Sequence, residues 1–318
     1  MHPDNDRLPR RCVDPVPFST LGSVSDTVAH ERARSEETGL ADSAAAVTAE
    51  RLARAEGDAE RAAARSGVQV RTIDDPAGHQ QAAEVLQQIW EHPAGAPLPP
   101  AMLRAFDYTG NYVAAAFEGD RMVGAATGFH TDHGALHSHI AGVLPSHQGR
   151  AIGYVLKLHQ RAWALRRGIA VIAWTFDPLI RRNAHFNLVK LGATVAAYLP
   201  DFYGEMTDHI NAGDHSDRLL VEWDLRKPVP GAAVTAAADA VTVLCARQDE
   251  QPELQSGTGH ERLLQLPVDV EALRRTDPAL ARQWRAALRE ALAGVLADGH
   301  RIVGLDPHSA YLTRRESS

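Results

Sequence analysis

Two cysteines, Cys12 and Cys245, are too few and too far apart to form a disulfide framework or a cysteine-rich zinc site. That scarcity fits a reducing, cytoplasmic setting. No apolar run approaches the roughly 20 residues that a membrane-crossing helix needs, and Arg10-Arg11 lacks the apolar stretch that a twin-arginine export signal requires. The sequence therefore reads as unexported, with no membrane partner. An excess of positive charge is missing too. The formal net charge of −7 excludes a global attraction to nucleic acid or anionic lipid. What is present is an ordinary globular composition, 44% hydrophobic and 23% charged over 318 residues, enough for one large or two modest domains.

The first 22 residues are rich in Pro, Arg and Asp without an apolar period, and the sequence predicts a disordered arm there. From about Asp26 to Arg65 the composition turns to Ala, Glu and Arg. Leu40, Val47 and Leu52 are the only sizeable apolar side chains between Ala29 and Ala64, so the expectation is a helix that is exposed or waits for a partner. Residues 1–66 are read as this arm plus helix. Val68 opens an alternating strand-like run, and Asp74-Asp75-Pro76 signals a helix start before the helical spacing of Ala82, Val85, Leu86 and Ile89. A second short helix is expected around Met102–Tyr108. Tyr112–Phe117 and Met122–Thr127 flank Glu118-Gly119-Asp120-Arg121, a hairpin signal. Leu136–Val143 reads as a third strand, Tyr154–Arg167 as a helix, Ile169–Phe176 as a buried strand, Asn183–Leu191 as a helix and Leu219–Leu225 as a late strand. This order predicts an α/β fold with a mixed sheet over 67–227. Residues 228–260 are read as a linker with one strand, Ala240–Ala246. Residues 261–318 are read as an appended α/β layer, with one helix from Val270 to Leu296 and a closing hairpin.

The segment that carries chemistry runs from Val143 to Tyr154, Val-Leu-Pro-Ser-His-Gln-Gly-Arg-Ala-Ile-Gly-Tyr, after a strand and at a helix start. Amide donors at a helix N-terminus have no intrahelical acceptor, and the peptide dipoles add partial positive charge. Small residues let an anion approach, so a pyrophosphate suits the place. Arg150 and His147 are expected to add charge at the rim and Gln148 to bond the loop or the phosphate through its amide, while Ala151 tolerates helical φ/ψ but adds a methyl facing the phosphates.

Gln148, Gly149, Arg150, Ala151, Ile152 and Gly153 resemble the Q/R-x-x-G-x-G/A signature of the GNAT acetyltransferase superfamily, with Ala151 in place of its first glycine. Val143-Leu144-Pro145 resembles the V-x-P element that precedes it. A second linked element, Val171–Pro178 followed by Asn183 and Phe186–Ala193, lies at the expected distance. The resemblance covers roughly Val68 to Lys227. It implies a GNAT-like, mostly antiparallel central sheet flanked by helices, and an acyl-coenzyme A co-substrate whose pantetheine enters where the strand after the phosphate helix splays from its neighbour. The combination of His137-Ser138-His139, Lys157–Trp163, Asn183–Gly192 and Asp201–Met206 is similar to a subgroup that includes amino-acid N-succinyltransferases. That likeness implies acetyl-CoA or succinyl-CoA as donor and an amino acid or related small amine as acceptor. The sequence leaves a homodimer open.

Val143, Gln148, Gly149, Arg150, Ala151, Ile152, Gly153 and Asn183 are the cofactor-binding candidates, with the Val143 N–H as polariser of the carbonyl. His139, Glu205 and Tyr203 are the acid–base candidates. His139 shares one side of its strand with His137, near neutral pKa. The resemblance implies a tyrosine four residues before Gly192, where this chain has Leu188, so either another residue such as Tyr198 or Tyr203 supplies the proton or the thiolate leaves with water. Arg181, Arg182 and Arg218 could meet a carboxylate. His130, Asp132, His133, His137 and His139 raise a metal reading, but no H-E-x-x-H spacing supports it and no metal is assigned. A catalytically silent acyl-CoA-binding module is the alternative to an enzyme.

Overall fold

The hairpin signal at Gly119-Asp120 closes β2 (Tyr112–Glu118) onto β3 (Arg121–His130), with Glu118 opposite Arg121 and Gly119 at a φ of +58°. A two-residue hairpin loop needs that positive φ, which glycine supplies without steric cost. The computed structural model describes residues 47–90, 95–204, 215–229 and 233–316. These divide between two units, 1–50 and 51–318. Of the first unit only residues 47–50 are described, and they are helical.

The second unit opens with α1 (51–66) and β1 (Gln69–Thr72), followed by α2 (Pro76–Trp90) and α3 (Pro100–Tyr108). After the β2–β3 hairpin come β4 (Leu136–Val143), α4 (Ile152–Arg166), β5 (Val171–Phe176), α5 (Arg181–Ala184) with a π-helical turn His185–Lys190, β6 (Thr194–Leu199) and β7 (Arg218–Asp224). The seven strands lie in the order β1-β2-β3-β4-β5-β7-β6, and only β4 and β5 are parallel. This is the mixed, mostly antiparallel sheet with flanking helices that the sequence predicts. β2 is buried on both faces because helices cover both. Tyr112, Ala114 and Ala116 join one core with α4, while Val113, Ala115 and Phe117 join another with α2 and α3.

Over 51–66, helix α1 corrects the expectation of an exposed or partner-dependent helix; the expected N-terminal arm and the start of that helix lie outside the described residues. Its apolar stripe is made of alanines rather than large residues, and Ala55, Ala59 and Ala62 are buried. Asp58 and Glu56 pair with Arg161 and Arg166 of α4. Small side chains allow close helix approach, which a search for bulky apolar residues overlooks.

The rest of the unit adds β8 (Val241–Ala246), β9 (Pro252–Leu254), β10 (Glu261–Leu264), α6 (Val270–Thr276), α7 (Pro278–Ala297), β11 (His300–Leu305) and β12 (Tyr311–Arg315). The second sheet runs β11-β12-β10-β8-β9. Residues 228–260 are thus more than a linker, since β8 and β9 are strands of that sheet. The single helix expected from Val270 to Leu296 is two helices. Pro278 cannot continue a helix and forces Asp277 to an extended φ of −145°. Asp269 and Asp277 each cap the helix that follows, accepting from Ala272 N and Leu280 N. β6 and β9 were not anticipated from the sequence.

Buried ion pairs join this layer to the first sheet. Asp177, directly after β5, accepts from Arg285 Nη1 at 2.9 Å and Nη2 at 2.7 Å and also pairs with Arg274. Burial acts to raise the Asp177 pKa, but the two guanidiniums outweigh it and hold the carboxyl below the usual carboxylate range. Tyr311 Oη donates to Pro178 O at 2.8 Å beside them.

Candidate functional site

β4 and β5 pair only through Leu136 with Ile172 and His137 with Ala173. Beyond that rung no ladder joins Ser138–Val143 to Trp174–Phe176, so a slot opens towards the C-terminal ends of the two strands. β4 also carries a bulge. Thr127 pairs with Ile140 and Gly128 with Ser138, so His139 is the extra residue in the ladder to β3. A bulge bends its strand and re-aims a side chain. The Leu144 N–H donates towards β3, to Val123 O, which puts the Val143 N–H on the opposite edge, facing the slot.

At the mouth of the slot β4 gives way to a 3₁₀ turn, Pro145–His147, and then to the start of α4. Among the described residues no acceptor takes the N–H of Gly149, Arg150, Ala151, Ile152 or Gly153, and no side chain caps the helix. The donors on either side are satisfied, Gln148 N by Pro145 O and Tyr154 N by Ala151 O. Five successive free amides at a helix N-terminus form an anion-binding concavity. A Cβ placed on Gly149 or Gly153 would meet nothing within 4 Å, so the space in front of the loop is open.

The structure changes three details of the sequence reading here. Ala151 is not helical but left-handed, with φ 60° and ψ 13°. Alternating left-handed residues, Gly149 and Ala151, turn successive N–H groups inwards, and a non-glycine residue bears that conformation at a cost of about 1–2 kcal/mol. Arg150 does not lie over the loop as rim charge; it donates to Glu118 Oε1 at 2.6 Å. His147 is buried, with Nε2 3.2 Å from Glu118 Oε2 and Nδ1 2.8 Å from Ser146 Oγ. The bonds from Arg150 and then His147 lower the Glu118 pKa. Both side chains therefore brace the loop against the β2–β3 hairpin instead of standing over it.

α5, which follows β5, carries Asn183, whose carboxamide has no hydrogen-bond partner among the described residues, and Phe186 just beyond it packs edge-to-face against Tyr154 of α4. The helix expected from Asn183 to Leu191 is a short α segment continued by a π turn. Such turns recur at functional sites. Arg181 donates to His308 O at 3.4 Å, and Arg182 pairs with Glu271 at 2.7 Å, so both engage the C-terminal layer.

Two faces of the slot differ in character. On the face towards α4, Ser138 and Trp174 surround the Lys157 ammonium. On the other, His137 and His139 lie against Phe129, with ring centroids 5.0 and 5.7 Å away. Desolvation lowers the pKa of both histidines, and the neighbouring charges of His139 and Lys157 lower that of His137 further. Both rings are therefore held towards their neutral form. Tyr203 Oη lies 3.3 Å from Thr175 Oγ1 on β5, and the Arg218 guanidinium stands 5.2 Å from the Tyr203 ring centroid. Tyr198 is committed elsewhere. Its hydroxyl donates to Asp217 Oδ2 at 2.6 Å, and burial, then Asp217, raise its pKa. Glu205 lies outside the described residues. Among the described residues no group of three or more His, Cys, Asp or Glu is placed to hold a metal ion.

The sequence places Lys157 only within the Lys157–Trp163 run that carries the subgroup likeness and gives it no chemical role; its burial is visible only in the fold.

Residues 80–192 match the family model described as Acetyltransferase (GNAT) family. Among solved structures, the chain is similar to the ribosomal-protein-S18-alanine N-acetyltransferase from Escherichia coli, with 13% identity and a TM-score of 0.41, over 51% of this chain and 96% of that one. It is also similar to an acetyltransferase of the GNAT family from Streptococcus pneumoniae, with 12% identity and a TM-score of 0.41, over 49% and 97%. An aminoglycoside 6'-N-acetyltransferase complexed with coenzyme A shares 16% identity at a TM-score of 0.39, over 51% and 99%. No curated protein matches the sequence. No described helix is long and apolar enough to cross a membrane.

Proposed function

We propose that this chain, which carries an acetyltransferase (GNAT) family domain over residues 80–192, is an acyl-CoA-dependent N-acyltransferase. In this reading it moves an acetyl or succinyl group to the amine of an amino acid or related small molecule. The run of acceptor-less N–H groups from Gly149 to Gly153, at the mouth of the slot between β4 and β5, carries the reading. The diphosphate of coenzyme A is the anion whose size and charge suit that loop. With it seated there, the pantetheine extends along the free edge of β4, where the Val143 N–H is offered to a carbonyl oxygen. The Asn183 carboxamide closes the mouth from the other side, and Gln148 flanks the phosphates.

Transfer requires an amine that loses its proton, a polarised thioester and a leaving thiolate. His139, kept neutral by desolvation at the bulge, takes the amine proton. Tyr203, held at β5 through Thr175, shares the acceptor side, with Glu205 two residues beyond it in sequence. Arg218 beside Tyr203 is the cation for an acceptor carboxylate.

A screen of acetyl-CoA and succinyl-CoA against amino acids of both hands tests this, with free thiol and product mass as readouts. Amine-dependent thiol release with an N-acyl product is expected, and His139→Gln lowers kcat by about 100-fold or more. Saturable CoA binding without release under any amine would instead identify a binding module.

A further inference from the structure

We infer that Lys157 is the acid of the transfer, supplying the proton that the departing CoA thiolate takes up through the Ser138 hydroxyl. This rests on the acyl-transfer reading and fills the thiolate-proton role, for which the sequence offered Tyr198 and Tyr203.

The placement is specific. Ser138 and Trp174 are the first residues beyond the last β4–β5 rung, so they form the closed end of the slot. Lys157 reaches that point from the second turn of α4. Its Nζ donates to Ser138 Oγ at 2.7 Å and to Gln160 Oε1 at 3.3 Å, and stands 3.9 Å from the Trp174 ring centroid. The residue is only 6% exposed. No carboxylate among the described residues pairs with it. Beside it, Gln160 Nε2 is buried without a hydrogen-bond partner among the described residues. A core built for stability alone has no use for an unneutralised lysine next to an orphaned amide.

An ordinary lysine is too weak an acid to serve. Burial brings the Lys157 pKa down to about 7. A simple thiol titrates at roughly 8.5, so transfer from such an ammonium to a thiolate is downhill. The nearest titratable group on β4 is His137, which lies on the other face of the strand and feels the Lys157 charge from there. α4 presents Gln160 and β5 presents Trp174, neither of which titrates.

In the step itself, the amine nitrogen attacks the thioester carbonyl carbon and its proton passes to His139. The C–S bond breaks, with the electron pair remaining on sulfur. Ser138 gives its hydroxyl proton to the sulfur and takes one from the Lys157 ammonium. The products are the amide and the free thiol; neutral Lys157 then regains a proton from solvent, and His139 returns one.

The test is the pH dependence of kcat under saturating donor and acceptor. The wild type loses kcat as the pH rises through about 7, because the acid must be protonated. Lys157→Met lowers kcat about 100-fold, leaves the KM for acyl-CoA within about threefold, and abolishes that falling limb. Lys157→Arg does not restore kcat, since a guanidinium keeps its proton, whereas a purely electrostatic role would be rescued by it. A folded Lys157→Met enzyme with an unaltered falling limb overturns the proposal. Should that variant fail to fold, Ser138→Ala, which removes one hydroxyl, carries the test, and a normal kcat there overturns it equally. A wild type that binds CoA without turnover sinks both readings, whereas turnover with an unaltered Lys157→Met profile sinks this one alone.

Discussion

Replacing Gly153 by aspartate is expected to weaken CoA binding at least about 100-fold, or roughly 2.7 kcal/mol, while leaving the fold intact. Gly153 occupies the second position of α4, and a Cβ there meets nothing within 4 Å. An aspartate in a first helical turn is favoured by the dipole by about 0.3–1 kcal/mol, so stability is expected to hold or rise slightly. The same carboxylate stands where the diphosphate charge belongs and competes for the same N–H groups. Calorimetric titration with CoA alongside urea unfolding separates the two effects. Unchanged affinity in the Gly153→Asp variant would mean that the β4–α4 turn is not the phosphate site.

The second large effect concerns stability. Asp177→Ala is expected to cost about 3–5 kcal/mol, because it strips the anion from two arginines inside a protein interior. Arg285 makes two bonds to that carboxylate and Arg274 a third contact, and all three side chains are buried. A shift in the urea midpoint with an unchanged slope would report this. The pH dependence has a definite sign. The folded pKa of Asp177 lies below its unfolded value of about 3.9, so its contribution is complete above that value and is lost as the pH falls towards the folded pKa. The wild type therefore loses stability on acidification below about pH 4, and the Asp177→Ala variant loses less. A loss below about 1 kcal/mol would show that the C-terminal layer does not depend on this pair.

How much of this could be read beforehand differs from element to element. The β2–β3 hairpin, β4, α4 and β5 were legible because alternation, a Gly-containing turn and helical spacing all agreed. The phosphate turn was legible as a pattern, but its geometry was not. Alanine rarely adopts a left-handed conformation, so nothing in the sequence assigned one to Ala151, and the partnership of Arg150 and His147 with Glu118 depends on a hairpin about 30 residues away in the chain. Tertiary pairing also hid the slot. Where two parallel strands stop bonding is decided by neighbouring layers and leaves no period in either strand. β6 was missed because its alternating burial is mostly partial, and α6 and α7 were merged because the apolar stripe continues across the break that Pro278 imposes. Lys157 stood in the sequence only as part of a family likeness, without a role, because a single lysine in a helix reads as a solvated residue until the packing around it is known.

The account stands or falls on the claim that the amides from Gly149 to Gly153 hold the donor's diphosphate. Amide hydrogen exchange, followed residue by residue with and without CoA, tests it most directly. The account predicts that these five groups, unprotected in the free protein, become the most strongly protected on CoA binding, while the exchange of β8–β12 is unchanged. Protection by CoA appearing elsewhere, with Gly149–Gly153 exchanging as freely as before, would contradict it.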